Sequence, residues 1–195
     1  MNKLIFVPTL ISYDLFHGPD VYYSDFEIWE FTKRVIDTVQ EYNNVWLDIK
    51  ILPDITFEFN LKKYLNKKKV NNVNLIYGPA FPRIMGRYDL LVFHYLSTPV
   101  VESHLVRKRK LLYHDAALLK VADVFMQYIN PEELEAFFSK EEKERFFNRL
   151  EWYCRQDKIE EVKTLNKRMI DMFVNPYGGA GFAEFIKNIY SAPRC

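Results

Sequence analysis

The sequence feature that most constrains the fold is an apolar run at residues 89–95 that leads directly into Ser97-Thr98-Pro99. The apolar run predicts a buried strand. Proline is favoured in the first turn of a helix, and a hydroxyl just before it satisfies backbone N–H groups that a helix start leaves without partners. A helix from Pro99 then carries Glu102 about one turn in. This junction predicts a polar, anion-binding corner at the carboxyl end of a strand, where open α/β sheets bind ligands.

Strands and helices alternate up to about residue 129. Apolar or alternating runs predict strands at residues 4–7, 45–51, 73–77, 89–95, 110–113 and 124–128. Helical periodicity predicts helices at residues 24–42, 61–69 and 116–120, another helix begins at Pro99, and Ser24 with Glu27 forms a capping box at the start of the first. Strands that alternate with helices imply right-handed crossovers. We therefore expect an α/β fold, with a Rossmann-like, doubly wound, mostly parallel sheet.

The character of the chain changes at Asn130. Asn130 and Pro131 resemble a capped helix start, Ser139 with Glu142 is a further capping box, and helical periodicity extends to about residue 174. A glycine-bearing turn at residues 175–181 precedes a last helix. The chain contains no repeat and no low-complexity linker. We therefore predict a single domain over residues 1–195, with the sheet in residues 1–129 and a helical C-terminal region in residues 130–195.

The composition argues against several classes of function. Hydrophobic residues make up 49% of the 195-residue chain, which includes 16 Phe and 13 Tyr, so a substantial core is available. A formal net charge of +1 argues against a general binder of nucleic acid or membrane surfaces. The two cysteines, Cys154 and Cys195, are far apart, which predicts neither a disulfide framework nor a metal site, and favours a cytoplasmic location. No run approaches the ~20 apolar residues of a membrane helix.

The phosphate-binding residues must come from outside the usual glycine motifs. The sequence has no Gly-x-Gly-x-x-Gly, Walker loop or Gly-x-Ser-x-Gly, which argues against a dinucleotide oxidoreductase, a P-loop NTPase and an esterase. Ser97 and Thr98 are the first candidates for binding phosphate, with plain helix capping as the alternative explanation. Glu102 is placed to accept hydrogen bonds from a ribose or sugar. His94 is placed to orient a phosphate or exchange a proton, or else is a buried structural histidine.

Three other groups of residues could contribute to a site. The first loop holds four potential metal ligands, Asp14, His17, Asp20 and Asp25. Their spacing matches no known ligand scheme, so no metal site is predicted. The glycines at residues 178–181 offer backbone N–H groups to an anion or, more simply, join two helices. His114 and Asp115 follow the fifth strand and are placed to line the rim of a pocket.

Several short motifs follow one another along the chain. A strand ends in Pro8-Thr9, and a second contains Lys50-Ile51-Leu52-Pro53. Residues 89–98, Asp-Leu-Leu-Val-Phe-His-Tyr-Leu-Ser-Thr, are similar to the pattern Asp-x-x-x-(Ser/Thr/Asp)-Tyr-Ser-(Ser/Thr). Tyr113-His114-Asp115, the Pro-Glu-Glu-Leu of residues 131–134 and the glycines at 178–179 follow. Together they resemble the C-terminal nucleotide-binding half of a GT-B-type glycosyltransferase. The closer likeness is to the CDP-glycerol glycerophosphotransferase and surface-polysaccharide transferase group.

The resemblance implies roles for particular residues. Ser97 and Thr98 would contact the phosphates of a nucleotide-diphosphate donor and Glu102 its ribose or sugar, and Thr9, Lys50 and His94 would lie at the same cleft. It implies neither a cofactor nor a metal. The arginine that the family carries after Pro-Thr is absent here, where Leu10 and Ile11 follow Thr9, and Leu52 replaces the histidine of its Lys-x-His-Pro motif; the family uses both groups on the phosphates. A second, acceptor-binding domain does not fit in 195 residues, so a separate or deleted acceptor domain is an expected partner.

The sequence therefore predicts a donor-binding domain, for a nucleotide sugar or a CDP-polyol, of a glycosyltransferase-like protein in surface carbohydrate synthesis. Two alternatives stay open. One is a non-catalytic α/β protein-interaction module, and the other is a small phospho-sugar hydrolase that uses His94 and Asp115 as an acid–base pair. The sequence offers no candidate catalytic residue beyond His94 for the donor-binding domain, and whether the isolated chain is an enzyme stays open.

Overall fold

Six parallel strands form one sheet in the computed structural model, which describes residues 1–8, 25–51, 55–117, 126–127, 129–167 and 169–170. The strands are β1 (Asn2–Val7), β2 (Val45–Lys50), β3 (Val73–Ile76), β4 (Leu90–His94), β5 (Arg109–Tyr113) and β6 (Leu134–Phe137). Their order is β3-β2-β1-β4-β5-β6, and each neighbouring pair is parallel. This order is that of a Rossmann-type doubly wound sheet, so the predicted fold class is confirmed.

Helices connect and cover the strands. They are α1 (Asp25–Gln40), α2 (Ile55–Lys68), α3 (Phe81–Ile84), α4 (Thr98–Glu102) and α5 (Lys143–Cys154). Short 3-10 turns extend α3 at Met85–Arg87 and α4 at Ser103–Leu105, and another at Lys140–Glu142 precedes α5. Within the described ranges, none of the helices combines the length and the apolar character that crossing a membrane requires.

The core has two layers because successive strand residues point to opposite faces of the sheet. Leu4 and Phe6 of β1 pack toward α1 and α5, together with Phe31 and Phe146 from those helices. Ile5 and Val7 of β1 pack on the other side, where α3 and α4 supply Phe81, Ile84 and Val100. The strands are therefore buried on both faces, as their nearly continuous apolar runs predict. It follows that α1 and α4 lie on opposite faces of the sheet.

Two predicted boundaries near the middle of the chain are wrong. The last strand is Leu134–Phe137 and not residues 124–128, where the described residues Met126 and Gln127 are helix and turn. Residues 131–133, predicted to start a helix, form a turn. Pairing with β5 overrides the helical propensity of this glutamate-rich stretch, since Leu134 and Phe137 gain burial in the sheet. The sheet therefore extends past residue 129.

The predicted continuous helix to residue 174 is also wrong. Ser139 does begin the helical stretch, but without a side-chain cap, and α5 ends at Cys154. The chain is non-helical from residue 155 to 166. Ile159 and Val162 are buried there, and the N–H of Val162 donates to the carbonyl of Arg107 at 3.2 Å. The segment folds back on the amino-terminal edge of β5 because its apolar side chains are buried there.

A fully buried ionic cluster joins three elements at that same edge. Lys110 of β5 donates to Glu133 Oε1 at 2.6 Å, and His104 Nδ1 lies 3.0 Å from the same oxygen. All three side chains are 0% exposed. Burial alone would raise the pKa of Glu133, but His104 and Lys110 hold it below its usual value. The cluster ties the 3-10 turn after α4 to the starts of β5 and β6.

Removing the carboxylate charge from this cluster tests its contribution to stability. Glu133→Gln leaves the Lys110 ammonium buried without its counter-ion, so we expect the free energy of unfolding to fall by about 3–5 kcal/mol. Glu132→Gln, at an exposed neighbouring position, is the control and is expected to have little effect. Urea unfolding of the three proteins measures both. A Glu133→Gln protein as stable as the control would contradict the assignment.

Candidate functional site

The connections that follow the neighbouring strands β1 and β4 define a place for a ligand. After β1 the chain continues to α1 on one face of the sheet, and after β4 it continues to α4 on the other. The two strands are paired in register, with Val7 opposite Phe93, so both end at the same level. Ligands of open α/β sheets bind in the crevice that such diverging connections leave outside the carboxyl ends of the strands. We call this place the switch-point crevice.

Ser97 and Thr98 lie where β4 passes into α4, at the crevice. Ser97 is the N-cap residue in extended conformation (φ −144°, ψ 175°), and its carbonyl accepts the N–H of Val100 at 2.9 Å. Its side chain makes no capping hydrogen bond, so the predicted hydroxyl cap is wrong. Because Pro99 in the first turn has no N–H and α4 has only five residues, fewer backbone N–H groups need a capping partner. The half-buried Ser97 hydroxyl is therefore not used by the helix start, and Thr98 is exposed.

The turn between β4 and Ser97 is strained and held from β5. Tyr95 has a φ of 110°, a region that a residue with a side chain rarely adopts. Its N–H donates to the carbonyl of Tyr113 at 2.8 Å, and the N–H of Leu96 lies 3.4 Å from His114 Nδ1. Such strain is concentrated at functional sites, where it is maintained by surrounding structure. Nothing in the sequence marks this position, because a tyrosine normally has a negative φ.

His94 lies in the core and not on the open side of the crevice. Its side chain is 2% exposed and stacks on Phe31 at 4.0 Å between ring centroids, with Tyr113 at 6.0 Å. Burial, together with the nearby charges of Lys143 and His114, lowers the pKa of His94 to about 3. The imidazole is therefore neutral at physiological pH. Of the two roles that the sequence left open, the structure favours the buried structural histidine.

Lys50 and Glu102 lie on opposite flanks of Ser97 in sequence but on the same side of the sheet. Lys50 ends β2, directly beside β1, and alternates with Ile49, which faces α1, so its side chain is directed to the α4 side. It is 7% exposed, and burial lowers its pKa. Glu102 is the last residue of α4 and half-buried, and burial raises its pKa. Both groups thus have charged forms that a polar ligand would stabilise.

His114 and Asp115, which follow β5, contact the backbone of loops at the carboxyl edge of the sheet. Both are buried, His114 at 0% and Asp115 at 8% exposure. Asp115 Oδ1 accepts the N–H of Ala117 at 3.0 Å, and His114 contacts the backbone of Leu96. They therefore connect the loops that follow β4 and β5.

Some predicted residues lie outside the described part of the chain. These are Thr9, the first-loop residues Asp14, His17 and Asp20, the side chain of Asp25, and the glycines at 178–181. In the ranges that are described, no group of three or more His, Cys, Asp and Glu side chains is arranged to hold a metal ion.

Comparison with known proteins supports the fold assignment. No protein-family profile matches the sequence, and no curated protein matches it. Among solved structures, the chain is similar to Staphylococcus aureus TarM, in a crystal structure of a TarM mutant in complex with fondaparinux, α-GlcNAc-glycerol and UDP. The TM-score is 0.57 at 10% sequence identity, over 98% of this chain. The chain spans 36% of the length of TarM.

At this low identity the likeness shows the fold alone. It supports the Rossmann-like parallel α/β fold of the described sheet. It does not reach the CDP-glycerol glycerophosphotransferase group, which stays a prediction.

Replacing Tyr95 by small residues tests the strain at the switch-point crevice. Glycine normally costs about 0.5–1 kcal/mol relative to alanine, but it adopts a positive φ without strain. We therefore expect Tyr95→Gly to be more stable than Tyr95→Ala by about 1 kcal/mol. The same pair at Leu96, whose φ is not positive, is expected to show the reverse order. Urea unfolding compares the four variants, and a more stable alanine at position 95 would contradict the strained conformation.

The buried state of His94 predicts a specific loss of stability in acid. The folded protein keeps the imidazole neutral to a pKa of about 3, whereas the unfolded chain takes up the proton near pH 6.5. Stability from this residue is therefore lost as the pH falls below about 6.5. Between pH 7 and pH 5 we expect the wild type to lose about 2 kcal/mol more than His94→Phe, which keeps the aromatic stack. Parallel stability curves for the two proteins would contradict the burial of His94.

Proposed function

We propose that this chain is the donor-nucleotide-binding domain of a GT-B-type glycosyltransferase that acts in surface carbohydrate synthesis. The nucleoside diphosphate of a nucleotide-sugar or CDP-polyol donor would bind in the switch-point crevice. The observation that carries the proposal is the position of Ser97 and Thr98, at the carboxyl end of β4, where β1 and β4 send their helices to opposite faces.

The polar groups at this edge suit a diphosphate. Hydroxyl and backbone N–H donors at the start of α4 match phosphate oxygens, and such charge-assisted hydrogen bonds are stronger than neutral ones. Because α4 has only five residues, its dipole is small, and the phosphates would be bound by these local hydrogen-bond donors instead. Lys50 would supply a cation from the β2 side. Burial lowers the pKa of Lys50 because it disfavours the ammonium form, and a bound anion would stabilise that form again. From the sequence resemblance, Thr9 would join them at the end of β1.

The likeness to TarM supports the class of ligand. That crystal structure holds UDP together with α-GlcNAc-glycerol, and the shared region is 36% of TarM. By analogy, we assign this chain the nucleotide-binding half and expect a separate or missing domain to bind the acceptor. A donor nucleotide made in the cytoplasm would place the domain there. The CDP-glycerol group remains the finer assignment that the motifs suggest.

The chain's own residues would favour loss of the diphosphate from the donor. As the bond to the transferred group breaks, negative charge builds on the leaving diphosphate, and prearranged donors at Ser97 and Thr98 would stabilise it. Glu102 would accept hydrogen bonds from the ribose or sugar hydroxyls. His94 would not contact the ligand. As a neutral ring stacked on Phe31, it would hold the end of β4 in place.

The hydrolase alternative is less well supported. It requires His94 to exchange protons with a substrate near neutral pH, together with Asp115. Both side chains are buried, and the pKa of His94 is far below 7.

The double substitution Ser97→Ala with Thr98→Ala tests the assignment. We expect it to weaken binding of CDP, UDP or GDP, whichever binds tightest, by about tenfold or more, because two hydrogen bonds to charged oxygens are lost. Stability is expected to change little, since Ser97 makes no capping bond. Ser139→Ala removes the hydroxyl of another N-cap without a side-chain cap and serves as the matched control. Isothermal titration calorimetry is the measurement. Equal affinities of the double variant and the wild type, or no binding by wild type, would contradict the proposal.

A further inference from the structure

A lysine lies on the side of the switch-point crevice opposite to α4, in the seam between α1 and α5. Lys143 is the first residue of α5, and its Nζ lies 5.7 Å from the ring centroid of Phe31 in α1. The Phe31 ring in turn stacks at 4.0 Å on His94, the last residue of β4. The ammonium therefore belongs to the carboxyl edge of the sheet, at the level where β4 ends.

The neighbouring carboxylate does not neutralise Lys143. Glu144 is held by Arg34 through two hydrogen bonds, and Arg34 also covers the Phe147 ring at 4.0 Å. Burial, and then the repulsion of Arg34, lower the pKa of Lys143, and the attraction of Glu27 and Glu144 only partly offsets this. Lys143 is thus a half-buried cation whose charged form an anion would stabilise.

The two sides of the crevice differ in what they offer an anion. The α4 side presents hydroxyl and backbone N–H groups, which are neutral donors, at Ser97 and Thr98. The seam between α1 and α5 presents an ammonium, a compact charge on a long stem that needs no fixed angle to a phosphate oxygen. A ligand with two phosphate groups between these sides would meet both kinds of group.

We infer that Lys143 binds the phosphate groups of the nucleoside diphosphate from the α1 side of the switch-point crevice. This inference rests on the proposed function and adds to it a binding residue from α5, an element that the motif resemblance did not connect with the donor. Lys143 Nζ lies over the Phe31 ring, so the aromatic core that buries His94 also positions the ammonium.

Lys143→Met is the test variant, because it keeps an unbranched apolar stem and removes the charge. Lys143→Arg restores a cation at the same place. Lys140→Met removes an exposed lysine one turn earlier and is the matched control. Each protein is titrated by calorimetry with CDP, UDP and GDP, and with the parent nucleosides cytidine, uridine and guanosine, which lack phosphate.

We expect Lys143→Met to weaken binding of the tightest nucleoside diphosphate by about tenfold or more and to leave binding of its nucleoside unchanged. Lys143→Arg is expected to recover most of the loss, and Lys140→Met to bind like wild type. The nucleoside separates the two roles, since a merely structural effect of Lys143 would weaken both ligands equally.

The outcomes are distinguishable. If wild type binds a diphosphate and Lys143→Met binds it equally well, or loses nucleoside affinity to the same extent, the role of Lys143 is overturned and the proposed function stands. If wild type binds none of the three diphosphates, the proposed function and the role of Lys143 are both overturned.

Discussion

The parallel pairing of β1 with β4 is the constraint on which the rest of this structure depends. It brings the ends of two strands that are distant in sequence to one level, Val7 beside Phe93. The chain passes from β1 to α1 on one face and from β4 to α4 on the other, so these two helices diverge beyond the strand ends. Parallel strands buried on both faces need apolar side chains almost throughout, which concentrates the polar groups of this region at the strand ends. The location of the site thus follows from packing before any chemistry is considered.

Several contacts with neighbouring elements hold the end of β4 in place. His94 is neutral within an aromatic stack, the strained Tyr95 is tied to the carbonyl of Tyr113, and His114 contacts the backbone of Leu96. At the opposite edge, the buried cluster around Glu133 anchors the turn that follows α4. Ser97 and Thr98 are therefore positioned from both ends of their segment. Fixed donors of this kind stabilise a developing charge better than mobile ones, because they need little rearrangement.

Much of the sheet could be predicted from sequence, because its strands are continuous apolar runs. The helix after β1 was equally clear from the spacing of Ile28, Phe31, Val35 and Val39, all of which are buried. The sixth strand was missed since three of its four residues, Leu, Glu and Ala, are of helix-favouring types, and only the pairing with β5 decides their conformation. At the proposed site, the sequence indicated Ser97 and Thr98 as candidates, but neither the positive φ of Tyr95 nor the contact of Lys143 with Phe31. Both depend on contacts between distant segments, which leave no local pattern.

The central claim is that a nucleoside diphosphate binds in the crevice between α1 and α4. The most direct measurement is a crystal structure of the chain grown with millimolar UDP or CDP. The account predicts phosphate density within hydrogen-bond distance of the Ser97 and Thr98 hydroxyls, beyond the ends of β1 and β4. Nucleotide bound at another edge of the sheet, or an empty crevice beside Ser97 and Thr98 hydroxyls bonded to the protein itself, would contradict it.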